Sequence, residues 1–327
     1  DGECGKPNFH AYASERLSGF ERRVPPGGVP VLTRPLGTGG RDAQMFPDFY
    51  QAILENNPFA NAIRIAPRIC VGPIRYVGHA AIQRDIANLR NAMAASGAKE
   101  GFMSATSPLT VMKNEYYPSD EAFQLAFGEA MREEYQGIID AGFLLQIDDP
   151  DLPDGWQMFP DMTVAQYRKY AMLRVDALNH ALAGLPREKI RLHVCWGSFH
   201  GPHQHDIPLS RIIDIIFRVR ASAYSIEASN PRHQHELRLF EDVKLPDGAV
   251  IIPGVITQST VLVEHPELVS QRIQRFASAV GRENVIAGAD CGFGTFAGSM
   301  EIHPTVAWAK LAALAEGARL ASRRLWK

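Results

Sequence analysis

The chain has 327 residues, enough to bury a substantial core as two modest domains or as one large α/β barrel. Hydrophobic residues make up 46% and charged residues 21%, with a formal net charge of -2 and no basic run, so neither a nucleic acid nor an anionic membrane surface is an expected partner. No apolar stretch approaches the ~20 residues of a membrane-spanning helix, and the polar start Asp1-Gly2-Glu3-Cys4 lacks the apolar core of a secretion signal. Asp rather than Met stands first, from which we expect the chain to begin inside a longer one. Four cysteines are too few for a disulfide scaffold in a chain of this length. A reducing cytoplasm is therefore the expected setting, and each cysteine must be read as core filler, ligand or nucleophile.

Residues 1–98 show little regular pattern. Pro and Gly are dense between Pro25 and Gly40, a loop signature, and Cys70-Val71-Gly72-Pro73-Ile74 reads as an extra strand. From about residue 100 the pattern alternates. Residues 101–106 predict a strand, and 119–141 a helix with Phe123, Phe127, Met131, Tyr135 and Ile138 on one face and Gly142 as its stop. A strand follows at 143–147, ending in Asp148-Asp149-Pro150. Helices at 164–184 and 209–221 flank a strand at 190–196, and further strands fall at 223–228 and 250–256. Val269, Ile273, Phe276 and Val280 mark another helix face, 285–289 the last strand, and Pro304 opens a closing helix. Such alternation argues for parallel strands joined by crossover helices. No linker justifies a cut, so residues 1–327 are expected to form a single domain. Neither Gly-x-Gly-x-x-Gly nor a phosphate-cradling Gly-Lys-Ser/Thr loop is present, which removes support for a nucleotide-binding version.

The chemistry gathers at strand ends. In His193-Val194-Cys195 the imidazole and the thiol lie two apart on a strand and share a face. The next strand ends in Glu227, an acid that is costly to bury without a cation. Two strands later comes Cys291, after Ala289-Asp290. Together they make a tetrahedral zinc set. Two thiolates and a carboxylate leave such a site with a net charge of about -1, a weak Lewis acid suited to holding a thiol as a nucleophilic thiolate. A His-x-Cys pair on a strand is equally at home in a packed core, and from spacing alone both readings stay open. Cys4 and Cys70 have no partner pattern and read as filler. Asp148 and Asp149 could bind a substrate amine or cap the following loop, and capping suits Asp149 better. His200, His203 and His205 could form an accessory metal site, a lid or a solvated loop. His233, His235 and Glu236 read as an exposed helix start.

At these residues the chain resembles the C-terminal barrel of cobalamin-independent methionine synthase. His193-Val194-Cys195, Glu227 and Asp290-Cys291-Gly292 match its zinc motifs, and Gln146-Ile147-Asp148-Asp149-Pro150 resembles its Gln-Ile-Asp-Glu-Pro strand. The short branch of that family, which includes epoxyalkane–coenzyme M transferase, is closer. The segments that carry this are His193-Val194-Cys195-Trp196-Gly197, Gly201-Pro202-His203, Glu227-Ala228-Ser229-Asn230-Pro231-Arg232-His233, Val263-Glu264-His265-Pro266-Glu267 and Cys291-Gly292-Phe293-Gly294-Thr295-Phe296. The resemblance implies a (β/α)8 TIM barrel with zinc at its C-terminal mouth. In it the first strand and most of the second are missing from the N-terminus. It also implies that Glu3 and Asp148 hold the amine of homocysteine. Thr257-Gln258-Ser259 stands where methionine synthases carry Asp-x-His, a departure that counts against a folate leaving group protonated in their way.

The expected activity is thus a zinc-dependent thiol S-alkyltransferase of the methionine-biosynthesis type. His193, Cys195, Glu227 and Cys291 hold Zn2+, Glu3 and Asp148 orient the thiol, and Asp148 and His265 are candidates for proton transfer. Epoxide opening by coenzyme M is the alternative within this chemistry. A metal-free decarboxylase or lyase on the same barrel, or a zinc scaffold without catalysis, would be different classes. The partners are a small thiol and an alkyl donor, and a homo-oligomer stays open.

Overall fold

The computed structural model describes residues 16–23, 41–56, 68–108, 113–197, 201–294 and 302–327. In chain order these form β1 (Phe20–Arg22), α1 (Arg41–Met45), α2 (Pro47–Asn56), β2 (Arg68–Cys70), α3 (His79–Ser96), β3 (Phe102–Thr106), β4 (Lys113–Asn114) and α4 (Asp120–Asp140). Then follow β5 (Leu144–Asp149), α5 (Asp151–Met158), α6 (Val164–Ala181), β6 (Ile190–Val194), α7 (Ile213–Ile216), β7 (Ala223–Ile226), α8 (Leu239–Asp242), β8 (Val250–Ile256), α9 (Pro266–Val280), β9 (Gly288–Ala289) and α10 (Pro304–Leu325). Strands β3, β5, β6, β7, β8 and β9 pair in that order, every neighbour parallel, into a curled half-barrel. This is the barrel fold expected, with six strands in the sheet among the described residues. No described helix is long and apolar enough to cross a membrane.

Local chemistry explains the elements. Ser119 caps α4 by accepting from the Ala122 N–H at 3.1 Å, and Asp120 and Glu121 sit at the positive end of its dipole. The helix then buries Phe123, Phe127, Met131, Tyr135 and Ile138 against the sheet, each worth roughly 1.5–3 kcal/mol in burial. Gly142 ends it at φ 91°, a conformation that needs no Cβ. Thr163 and Gln166 form a reciprocal capping box that starts α6.

Three expectations need correction. The extra strand is β2, and of the anticipated segment only Cys70 belongs to it. It pairs antiparallel with β1 and parallel with β4 in a separate small sheet, where Cys70 is fully buried. The long helix α3 was not read from the sequence, because Gly78 offers it no side-chain cap and only Ile82 and Ile86 are buried. Finally, the helix expected at 209–221 is reduced to a 3-10 turn at Leu209–Arg211 and the single turn of α7. Ile212, Ile213, Ile215 and Ile216 are all buried, so apolar residues occur without the one-sided pattern that a longer surface helix would show.

Strand register places the site. Asp148 on β5 pairs with His193 on β6, which pairs with Ser225 on β7. Cys195, Glu227 and Cys291 lie just past the C-terminal ends of β6, β7 and β9, on the mouth side where barrel sites are built.

Candidate metal centre

His193, Cys195 and Cys291 each offer one ligand atom, and these atoms lie within 4.8 Å of one another. The two sulfurs are 3.4 Å apart, close to the roughly 3.8 Å edge of a tetrahedral zinc site. His193 Nδ1 lies 3.2 Å from Ser225 Oγ, which leaves Nε2 for a metal. The Gly197 N–H donates to Cys195 Sγ at 3.3 Å. His193 is 7% exposed and Cys195 8%, while Cys291 is half-buried and gives the cluster its side towards solvent.

Glu227 stands beside this trio rather than within it. Its Oε1 accepts from the Trp196 N–H at 2.9 Å and its Oε2 from Asn230 Nδ2 at 2.8 Å. Each oxygen keeps a further lone pair. Burial pushes the carboxyl up to about 8, with the charges of Asp290 and Cys291 adding to the rise and His233 opposing it. Three of the four expected ligands therefore converge, and the fourth rests on neutral N–H donors at their side.

The trio has its own electrostatics in the metal-free form. A hydrogen bond from Cys195 pulls the Cys291 thiol down to about 5 against burial, with His193 adding to the pull. Cys195, as the donor, is pushed well above an ordinary thiol, with burial reinforcing the effect. Burial disfavours charge on His193, yet the Cys291 thiolate outweighs it and raises the imidazole to about 9. The result is one thiolate, one thiol and one imidazolium.

Asp290, fully buried, ties the ligand-bearing loops together. Its Oδ1 accepts from the N–H groups of Ala228 and Ser229, both at 2.8 Å, and its Oδ2 from Ser229 Oγ at 2.8 Å and the Asn230 N–H at 2.9 Å. Gly254 makes room for it, because a Cβ there would lie 2.0 Å from Asp290 Oδ1. Sequence reading did not find Ser225, Asn230 or the supporting role of Asp290. The available signals were an acid directly before Cys291 and the place of Asn230 in the family-like segment that follows Glu227.

The remaining candidates divide. Asp148 is half-buried, pairs in register with His193 and accepts from Gln146 Nε2 at 2.7 Å. Its charge acts on both His193 and Cys291. Asp149 is buried and accepts from the Leu152 N–H at 3.1 Å, a cap as expected. Burial and the neighbouring Asp151 raise its carboxyl to about 7. His265 is exposed and accepts from the Glu267 N–H at the start of α9; among the described contacts none joins it to the cluster. Glu3, Cys4 and His200 lie outside the described residues.

In the histidine-rich loops one expectation is overturned, while His235 is exposed at the start of a 3-10 turn as expected. His233 is 3% exposed, not an exposed helix start. Its Nδ1 lies 2.9 Å from Glu236 Oε2 and its Nε2 3.3 Å from Asp206 Oδ2. His203 reaches Asp206 at 3.2 Å, and His205 reaches Asp42 at 2.9 Å. These carboxylates make burial of the imidazoles tolerable. The Trp196 ring lies over His233, with centroids 4.4 Å apart. On the loop after β8, the Thr257 N–H donates to Glu264 Oε1, and Glu264 pairs with the buried Lys310 at 2.8 Å.

Residues 66–313 match the family described as cobalamin-independent synthase, catalytic domain. The chain belongs to that family. The match takes in Asp148, His193, Cys195, Glu227 and Cys291, as the sequence motifs led us to expect. The chain is similar to 2-hydroxypropyl-CoM lyase of Xanthobacter autotrophicus, 23% identical over 246 residues, which cover 67% of this chain and 60% of that protein. Methionine synthase of Saccharolobus islandicus is 24% identical over 229 residues, covering 68% of this chain and 59% of the relative. The match thus spans about 60% of the length of these curated relatives. A B12-independent methionine synthase from a Shewanella species, solved in complex with selenomethionine, superposes with a TM-score of 0.69 at 17% identity, covering 97% of this chain and 80% of the other. That likeness speaks for the fold.

Proposed function

We propose that the chain is a zinc-dependent transferase that moves an alkyl group onto the sulfur of a small thiol. The observation that carries this reading is the convergence of His193 and two cysteine sulfurs from β6 and β9, with a buried carboxylate held beside them on exchangeable hydrogen bonds. The donor set, one nitrogen and two sulfurs with an oxygen in reserve, fits zinc better than a hard cation. When bound, zinc would supply the positive charge that keeps an incoming thiol deprotonated at neutral pH.

The chain's own residues do the rest. Ser225 holds the His193 ring in one orientation. The Trp196 N–H and Asn230 Nδ2 donate to the two Glu227 oxygens and would hold that group whenever it is not on a metal. Asp148 stands in register beside His193, and in this reading it pairs with the ammonium of an amino-acid thiol such as homocysteine, with Glu3 as its expected partner. The thiolate sulfur forms a new bond to the alkyl carbon as the bond from that carbon to the leaving group breaks and the leaving group keeps the electron pair.

A second reading, epoxide opening by coenzyme M, is favoured by the relative named 2-hydroxypropyl-CoM lyase and by Thr257-Gln258-Ser259 in the β8 loop. The metal-free lyase has no use for two sulfurs in contact. The deciding experiment measures zinc content and zinc-edge X-ray absorption with and without homocysteine and coenzyme M. A stoichiometric metal that gains a sulfur neighbour with one thiol names the acceptor. A protein that holds no zinc after reconstitution refutes the reading.

A further inference from the structure

The side chain of Asn230 is saturated. It has two N–H donors and an oxygen with two lone pairs, and all four positions are used. Nδ2 donates to Glu227 Oε2 at 2.8 Å and to Asp290 Oδ2 at 3.2 Å. Oδ1 accepts from the N–H groups of Arg232 at 3.0 Å and His233 at 3.1 Å. The residue is 6% exposed, so water offers little substitute for any of these bonds.

The two carboxylates that it joins belong to the two loops that close the candidate metal centre. Glu227 follows β7, and Asp290 precedes Cys291. Two acids buried this near one another disfavour a second negative charge, and Glu227, once ionised on a metal, would need a donor beside it. A Lys or Arg between them would satisfy both, but its charge would hold Glu227 in an ion pair and set it against a metal. An Asp would add a third carboxylate. A carboxamide donates to both acids with no net charge, so Glu227 is steadied but remains free to turn.

The geometry points to Asn230 as a positioning residue that sets how readily Glu227 passes between a metal and its resting place, an inference that rests on reading Glu227 as the carboxylate ligand. Its Nδ2 contact is separable from the fold of the loop. Asp290 holds residues 228–230 through three backbone N–H groups and Ser229 Oγ, none of which needs that amide.

Asn230→Asp keeps the Oδ1 acceptor for Arg232 and His233, but it replaces the Nδ2 donor with an acidic oxygen set against Glu227 and Asp290. Asn230→Ala is measured beside it. Metal-free protein is loaded with cobalt(II), its affinity is taken by chelator competition, and its visible spectrum is recorded before and after addition of a small thiol. Wild type is expected to show the intense bands of a tetrahedral thiolate site. Both variants should bind cobalt about 10–100-fold more weakly, the range for loss of a partner behind a metal ligand, with altered thiol-induced bands and a cooperative melt retained. Folded variants that match wild type in affinity and spectrum would overturn the role of Asn230 alone. Loss of folding in both would make the residue structural and overturn it equally. A wild-type protein that takes up neither cobalt nor zinc would remove the metal reading itself and this inference with it.

Discussion

His193 and Ser225 face one another across neighbouring strands, with Nδ1 and Oγ 3.2 Å apart and their Cα atoms paired in register. The hydroxyl fixes which imidazole nitrogen remains for a ligand. Replacing Ser225 with Ala deletes that partner and little volume. Metal affinity should fall about tenfold, while thermal stability of the metal-free protein changes little. Chelator competition on wild type and Ser225→Ala checks this, and equal affinities would refute it.

Metal uptake should release protons and strengthen as pH rises. In the metal-free form His193 titrates near 9, Glu227 near 8 and Cys195 well above an ordinary thiol, so at neutral pH all three carry protons that a metal must displace. Only Cys291, near 5, is already deprotonated. Apparent zinc affinity should therefore increase steeply from pH 6.5 to 9. A weakly buffered titration should record acid release in the same range. An affinity flat across that interval would mean that the cluster does not carry these protons.

Much of this was legible in the sequence, for identifiable reasons. The strand–helix alternation after residue 100 reflects faces buried by a period, as at Phe123, Phe127, Met131, Tyr135 and Ile138. The convergence of His193, Cys195 and Cys291 was legible because His193 and Cys195 share a strand face and because Cys291 ends another strand. The support was not. Ser225 and Asn230 are ordinary polar residues whose roles depend on register and loop closure, long-range facts with no local pattern. His233 misled, because its burial depends on Asp206, 27 positions earlier in the chain and brought close only by the fold. The helix α3 was invisible because it buries so few of its side chains.

Gly254→Ala should damage the centre from a distance. The added methyl would lie 2.0 Å from Asp290 Oδ1 and 2.6 Å from its backbone, and no rotamer change of a flexible tip can relieve a backbone clash. Overpacking of this kind costs about 1–3 kcal/mol. The displaced segment is the one that positions Cys291, so metal content after purification should fall together with melting temperature. Wild-type melting and metal content together would show that β8 and β9 can separate without harm.

The buried ion network around His233 should give stability a pH signature at both ends. Burial disfavours the imidazolium, but the Asp206 and Glu236 carboxylates outweigh it and raise His233 to about 10. A folded pKa above the unfolded value of ~6.5 means that this contribution is complete below about 6.5 and fades as pH climbs through about 10. Asp206 behaves in the opposite sense. Burial would raise it, yet His203 and His233 hold it down at about 2, so its contribution is present above about 3.8 and lost as pH falls through about 2. His233→Gln removes the cation shared by Asp206 and Glu236 and leaves Asp206 with His203 as its ion partner, a loss of about 3–5 kcal/mol for a broken buried pair. The melting-temperature gap between wild type and His233→Gln should be largest between pH 4 and 6.5 and should narrow steadily towards pH 10. A gap that stays constant to pH 10 would show that packing against Trp196, rather than charge, is what His233 contributes.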